Sequence, residues 1–263
     1  MDFTIETIGL TLIGGAMVGF FLASFGAGGS ILCTPLLIFL VGVEDTHTAV
    51  GTSAAAVAII ALFGLLGHWR RGRVNWPCAI LFSSGGLLGA VLGSTVGKTT
   101  NDNWLLLGFA AVMLITGLTM FKKSWSETDV RKVALTRSVI LKLLPTGFFV
   151  GITAGFFGIG GGFLVVPGLV FAAGMGVSSA IASSLLSIAL FGATTSMNYA
   201  VSGLLDLHLI LYLMVGGALG GLFGLLTSQF LSRHDRLTIV LFAVTICIVA
   251  VFITYDTVAV IAN

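Results

Sequence analysis

Two glycine clusters are the parts of this sequence best suited to hold a ligand. Gly26-Ala-Gly-Gly-Ser30 and Gly158-Ile-Gly-Gly-Gly162 each precede an apolar stretch that can be helical. Unpaired backbone N–H groups at a helix N-terminus, with the positive end of the helix dipole, favour an anion. Glycines also let a ligand approach the backbone closely. The clusters therefore predict anion binding, with tight helix packing as the alternative.

Four hydroxyl side chains follow the clusters at matching places. Thr52 and Ser53 lie one apolar segment after the first cluster, and Ser183 and Ser184 lie one segment after the second. A hydroxyl can donate a hydrogen bond to a ligand oxygen without carrying charge. The alternative is that these groups bond to backbone carbonyls of their own helices, as Ser and Thr often do in membrane helices.

The composition restricts the class of protein that can carry these groups. The chain has 263 residues, of which 57% are hydrophobic and only 8% are charged, against about a quarter charged in soluble proteins. It also contains 36 glycines. Since so few charges cannot form a polar shell, a soluble enzyme, a nucleic-acid-binding protein and a disordered scaffold are excluded. The remaining class is a membrane protein.

Ten apolar segments predict an all-α polytopic membrane protein. Most are close to the roughly 20 residues that a spanning helix requires, which makes eight of them candidate spans. The second and seventh segments are too short to cross the bilayer. The ten segments are 7–25, 30–43, 48–67, 76–96, 104–121, 139–157, 162–174, 178–201, 207–231 and 237–255.

An internal repeat divides the chain. The first glycine cluster and Pro35 recur as the second cluster and Pro167, and a constant spacing then relates Thr52 to Ser183. The same register pairs a further set of glycines. We therefore predict a first repeat over residues 1–121, a linker over 122–138 and a second repeat over 139–263. The glycines of this further set, which we interpret as helix-packing positions, are Gly85, Gly86, Gly89 and Gly93 with Gly216, Gly217, Gly220 and Gly224.

Basic residues predict the orientation of the repeats. The loops 68–75, 122–138 and 232–236 are basic and should face the cytoplasm, which places both chain termini outside the plasma membrane. Each half is then a hairpin plus three spans, and the two halves run in opposite directions. Inverted repeats with paired, short, Gly-interrupted segments are the sequence pattern of a transporter's binding site. Because the short segments cannot reach the far face, we expect both glycine turns to lie near the midplane.

The paired Gly-rich motifs 26–35 and 158–167, followed by Gly51-Thr52-Ser53 and Ala182-Ser183-Ser184, resemble the TauE/SafE family of membrane transporters. The resemblance covers nearly the whole chain. It implies transport of sulfur-containing oxyanions such as sulfite and organosulfonates across the plasma membrane. It also implies a substrate pathway lined by Gly28, Gly29, Ser30, Thr52, Ser53, Gly160, Gly161, Gly162, Ser183 and Ser184.

We therefore expect a secondary transporter that moves a small sulfur oxyanion by alternating access and holds it at helix N-termini near the midplane. The alternatives are a passive anion channel and a transporter of another small carboxylate or oxyanion. We expect no enzymatic activity, cofactor or metal, because the spans contain no cluster of catalytic or metal-ligating residues. The expected partners are the anionic substrate and the lipid bilayer, with no nucleic acid. The oligomeric state is left open.

Overall fold

The structure, a computed structural model, describes residues 5–122, 136–158, 162–231 and 235–262. Most of the predicted linker and two predicted site residues, Gly160 and Gly161, lie outside the described residues. Every regular element in these ranges is helical. The α-helices are α1 (Ile5–Phe25), α2 (Cys33–Pro35), α3 (Thr46–Arg70), α4 (Trp76–Thr99), α5 (Asp102–Lys122), α6 (Arg137–Phe157), α7 (Gly162–Ala173), α8 (Val177–Ala200), α9 (Leu207–Leu231) and α10 (Asp235–Ala262).

These helices confirm the predicted polytopic helical fold. Six helices, α1, α3, α4, α6, α8 and α9, are long and apolar enough to cross a membrane within the described residues. In α5 and α10 the apolar stretches found are the shorter Asp102–Leu118 and Ala243–Ala259. The chain is therefore a multi-pass protein with two short segments, as expected, at the second and seventh positions.

The two short segments differ in backbone conformation. The second segment, which we call the first arm, is a 3-10 helix (Gly26–Leu32), the single turn α2 and a π-helix (Leu36–Leu40). Pro35 lies between the α-turn and the π-helix. Proline has no N–H and crowds the preceding turn, and this favours such a change in helical winding. The seventh segment, the second arm, is the regular 12-residue helix α7.

Glycines bring two pairs of helices into backbone contact. A Cβ built on Gly85 would lie 2.5 Å from the Leu144 carbonyl oxygen, and a Cβ built on Gly89 would overlap the Phe148 carbonyl oxygen. The glycines of α4 therefore pack directly against the backbone of α6. In the same way, Gly216 and Gly220 of α9 contact the backbone of α1. The predicted packing role of these glycines is confirmed. Their missing side chains let carbonyl groups of the neighbouring helix approach directly.

The helix contacts follow one two-fold pattern. The contacts between α4 and α6 have counterparts between α9 and α1, and the contacts between α4 and α8 have counterparts between α9 and α3. Three further pairs, α3 with α8, α5 with α10 and the 3-10 helix with α7, join equivalent segments of the two halves. The helices α3 and α8 therefore form the centre, enclosed by α4–α6 on one side and α1–α9 on the other.

A pair of adjacent glycines tests this packing. A Cβ at Gly220 would overlap the Ala16 carbonyl oxygen, whereas at Gly221 the nearest atom lies 3.6 Å away. We expect Gly220→Ala to lower the thermal unfolding temperature in detergent markedly, because α1 must move away. Gly221→Ala should leave it unchanged or raise it, since alanine favours a helix by about 1 kcal/mol over glycine. Equal unfolding temperatures for the two variants would contradict the backbone contact.

Candidate functional site

The residues next to the two glycine turns pack at different places along α3. Gly158, at the second turn, packs against Val50, the fifth residue of α3. At the first turn, the Ala23 carbonyl oxygen lies 3.5 Å from His68 Nε2, close to the other end of that helix. The helices that lead into the turns, α1 and α6, have 21 residues each, about 31 Å at 1.5 Å per residue.

The first glycine cluster is not a free turn before a helix. Gly28, Gly29 and Ser30 lie within the 3-10 helix that begins directly after α1. A Cβ on Gly29 would lie 2.6 Å from the Val18 carbonyl oxygen, so this glycine packs the first arm against α1. Ser30 is fully buried. The packing alternative therefore holds at Gly29, and a bulky substitution there would disturb the fold before it reported on ligand binding.

The second cluster keeps a helix N-terminus. Gly158 ends α6 in the left-handed conformation, with φ of 66°, which glycine adopts without steric cost. Gly162 is buried and begins α7. Backbone N–H groups in the first turn of a 12-residue helix lack partners within the helix and carry positive partial charge. Of the two arms, the second therefore has the backbone geometry that suits an anion.

Thr52 and Ser183 each bond to the opposite half of the protein. The Asp206 backbone N–H donates to Thr52 Oγ1 at 3.1 Å, and the Asn75 backbone N–H donates to Ser183 Oγ at 2.9 Å. Asp206 and Asn75 also accept hydrogen bonds from the first turns of α9 and α4, whose N-termini they cap. Each hydroxyl therefore connects the centre of the protein to the start of a neighbouring helix.

Ser53 and Ser184 also form equivalent bonds, but within their own helices. Ser53 Oγ donates to the Val50 carbonyl at 3.0 Å, and Ser184 Oγ donates to the Ile181 carbonyl at 2.8 Å. Ser53 additionally lies 2.7 Å from Thr34 Oγ1 in the first arm. The second half has no such pair, because Val166 occupies the position that the repeat assigns to Thr34. The polar groups around the two arms are therefore unequal.

The predicted hydroxyls are enclosed by protein. Ser30, Thr52, Ser53, Ser183 and Ser184 are each 0% exposed. Across the described residues, the buried polar side chains are serines and threonines together with His68 and Tyr199. The structure brings together the hydroxyls of Ser53 on α3 and Thr34 in the first arm, whereas Thr52 and Ser183 bond at separate places, at the starts of α9 and α4.

Several polar contacts between α4 and α8 were not predicted from the sequence. Ser83 of α4 lies 2.8 Å from Ser187 of α8, and Asn198 Nδ2 donates to Ser94 Oγ at 2.7 Å. At the end of α4, Lys98 donates to the Asn198 carbonyl at 2.9 Å. The paired residues are about one hundred positions apart in the sequence. Helical periodicity does not indicate which residues at such a separation are in contact.

The N-terminal end of α3 holds a second group of polar side chains, which the sequence analysis did not predict to lie together. His47 Nε2 lies 3.0 Å from Asp102 Oδ1, which joins the starts of α3 and α5. The His47 ring also lies 6.3 Å from the ring of Tyr199, a fully buried residue in the last turn of α8. The sequence offered one indication that Tyr199 is a notable position, because the internal repeat pairs it with His68.

The fold and its buried polar side chains define a multi-pass helical membrane protein. Long apolar helices surround two short arms, and the polar side chains turn inward. Irregular backbone within a membrane is tolerated where protein surrounds it, as it does here at the first arm.

The chain belongs to the sulfite exporter TauE/SafE family, whose sequence pattern matches residues 11–253. It is 38% identical over 252 residues to a "Probable membrane transporter protein" of Xylella fastidiosa (strain 9a5c), covering 96% of this chain and 97% of that protein. It is 25% identical over 214 residues to the "Probable membrane transporter protein YdhB" of Bacillus subtilis (strain 168), covering 79% and 85%. No solved structure matches the chain.

The hydrogen bonds between the two halves can be tested by removing single hydroxyls. Thr52→Val and Ser183→Ala each leave a backbone N–H without its acceptor, and we expect each to lower the free energy of unfolding by about 1–3 kcal/mol. The neighbouring Ser184→Ala should cost less, because the Ser184 hydroxyl donates to a carbonyl of its own helix. Chemical or thermal unfolding in detergent measures the difference. A Ser183→Ala protein as stable as Ser184→Ala would argue against the bond to Asn75.

Proposed function

We propose that this protein is a secondary transporter that moves a small sulfur-containing oxyanion, sulfite or an organosulfonate, across the plasma membrane. The observation that carries the proposal is the set of buried, uncharged hydroxyl groups on α3, α8 and the first arm. An oxyanion has several acceptor oxygens and needs hydrogen-bond donors. Hydroxyl and backbone N–H groups supply these donors without a buried positive charge, so the anion is bound reversibly, as transport requires.

The family supports the substrate class. The pattern that matches residues 11–253 bears the description sulfite exporter, and the relatives are named as membrane transporters without a substrate. Within the proposal, the buried hydroxyls of α3 and α8 and the N-terminus of α7 donate hydrogen bonds to the anion along its pathway. Gly28, Gly29 and Ser30 form the other side of the pathway, where Gly29 also fulfils a packing role.

Alternating access by two inverted repeats, residues 1–121 and 139–263, accounts for the transport step. The two-fold pattern of helix contacts supports it, because equivalent segments then exchange roles between inward-open and outward-open forms. The complete burial of the central hydroxyls also supports a carrier with an occluded state over a permanently open pore. The 3.0 Å contact between His47 Nε2 and Asp102 Oδ1 supports an arrangement in which the starts of α3 and α5 share one face.

Reconstituted protein tests the transport proposal. We expect proteoliposomes containing the wild type to take up labelled sulfite or labelled sulfoacetate in a saturable manner, and unlabelled anion inside the vesicles should accelerate the uptake by exchange. Protein-free liposomes and an unrelated reconstituted helical membrane protein are the controls. Saturation and exchange both follow from a site that opens to one side at a time.

Two results would contradict the proposal in different ways. Large single-channel currents without exchange would show the passive anion channel. Uptake of a carboxylate such as acetate, with neither sulfite nor sulfoacetate competing, would show a transporter for a different class of anion. Competition among sulfite, sulfate, thiosulfate and sulfoacetate then ranks the substrates within the proposed class.

A further inference from the structure

A pair of buried hydroxyl groups joins α4 to α8. Ser83 Oγ of α4 lies 2.8 Å from Ser187 Oγ of α8, and the two residues are 1% and 0% exposed. In such a pair one hydroxyl donates and the other accepts, so the accepting group keeps its own proton for a further bond. Among the described residues, neither serine has another hydrogen-bond partner for its side chain. A buried donor without an acceptor costs stability, and this unpaired proton therefore calls for a functional explanation.

Ser183, one helical turn before Ser187, has an unpaired proton of the same kind. Its Oγ accepts the hydrogen bond from the Asn75 N–H, and within the described parts of the chain no group accepts the proton of Ser183 itself. The neighbouring Ser184 differs, because its hydroxyl donates to a carbonyl of its own helix. Since Ser183 and Ser187 are four positions apart and both contact the α4 side, they lie on one face of α8.

The equivalent contact in the other half of the protein has no hydroxyl groups. The spacing of the internal repeat relates Ser83 to Met214 and Ser187 to Ala56. These two residues belong to α9 and α3, which pack on each other as α4 and α8 do. Because this packing forms with apolar side chains, the scaffold does not require a hydroxyl pair at this place. The Ser83–Ser187 pair is therefore a feature that one half has in addition to the common packing.

The charges around the pair favour an anion. Ser83 is the eighth residue of α4, and Arg73 lies shortly before that helix begins, where the helix dipole is also positive. The helices α4, α6, α7 and α8 contain no Asp or Glu. The Asp45 and Asp102 carboxylates act on Tyr199 instead, which lies twelve positions beyond Ser187, about 18 Å along α8 at 1.5 Å per residue.

We propose that Ser83, Ser183 and Ser187 form an oxyanion-binding site between α4 and α8; this assignment rests on the proposed function. In the structure Ser83 and Ser187 bond to each other. When α4 and α8 move apart, both hydroxyls donate to the oxyanion instead, and Ser183 adds a third donor. A sulfite or sulfonate group has three oxygens on its sulfur atom, which match three donors. A carboxylate has only two oxygens and leaves one donor unpaired, so the site discriminates against it.

A double substitution removes the hydroxyl pair without leaving either partner unpaired. The Ser83→Ala/Ser187→Ala protein should therefore unfold in detergent close to the wild-type temperature. Its Kd for sulfite and for methanesulfonate, from ligand-dependent shifts of the unfolding temperature, should rise about ten-fold or more, since hydrogen bonds to charged ligands are strong. The preference of the wild type for methanesulfonate over acetate should become smaller in the double variant.

A matched double control lies on the same two helices. Ser84 on α4 donates to the Leu81 carbonyl at 2.8 Å, and Thr194 on α8 donates to the Leu190 carbonyl at 2.8 Å. These bonds stay within each helix and leave no hydroxyl proton for a ligand. We expect Ser84→Ala/Thr194→Val to bind both sulfur anions like the wild type.

The possible results separate this inference from the proposed function. A wild type that binds the sulfur anions, together with a Ser83→Ala/Ser187→Ala protein of unchanged Kd, overturns the site alone. A markedly lowered unfolding temperature of that variant, or an equal loss of binding in the control, also overturns it, because the pair then serves the fold. A wild type that binds none of the sulfur anions overturns the proposed function, and this inference falls with it. A stable double variant with weakened binding supports both.

Discussion

Direct backbone contact between helices is the constraint on which this structure depends. Glycines of α4 lie against carbonyl groups of α6, and glycines of α9 lie against those of α1. Burial of apolar surface cannot drive these helices together, since lipid chains are as apolar as leucine. Close van der Waals contact remains, and it requires that no Cβ intervenes. The two glycine-packed pairs hold α3 and α8 between them and enclose the polar centre.

Hydrogen bonds then connect the two halves at the edges of that centre. The Asp206 N–H bonds to Thr52 and the Asn75 N–H bonds to Ser183, so the start of each fourth helix is held by the third helix of the other half. A residue chosen for its capacity to bind substrate thus has a structural partner as well.

The polar lining is less symmetric than the scaffold. The Ser53–Thr34 pair belongs to the first arm alone, and the Ser83–Ser187 pair belongs to α4 and α8 alone. Packing constrains both halves in the same way, because each must form the same helix contacts. Ligand recognition requires only one adequate set of donors. A duplicated scaffold can therefore keep its symmetric packing while its two halves diverge in the residues that contact the substrate.

The order of the helices, the ends of most of them and the packing role of the glycines followed from the sequence alone. A span must be apolar along its length and end where polar residues begin; thus α9 covers the predicted residues 207–231. The tertiary structure decided the 3-10 and π-helical windings of the first arm and the partners of the hydroxyls. Thr52 accepts a hydrogen bond from Asp206, which is 154 positions away in the sequence. Hydrophobic periodicity indicates which face of a helix is buried, but it does not indicate which distant residue that face contacts.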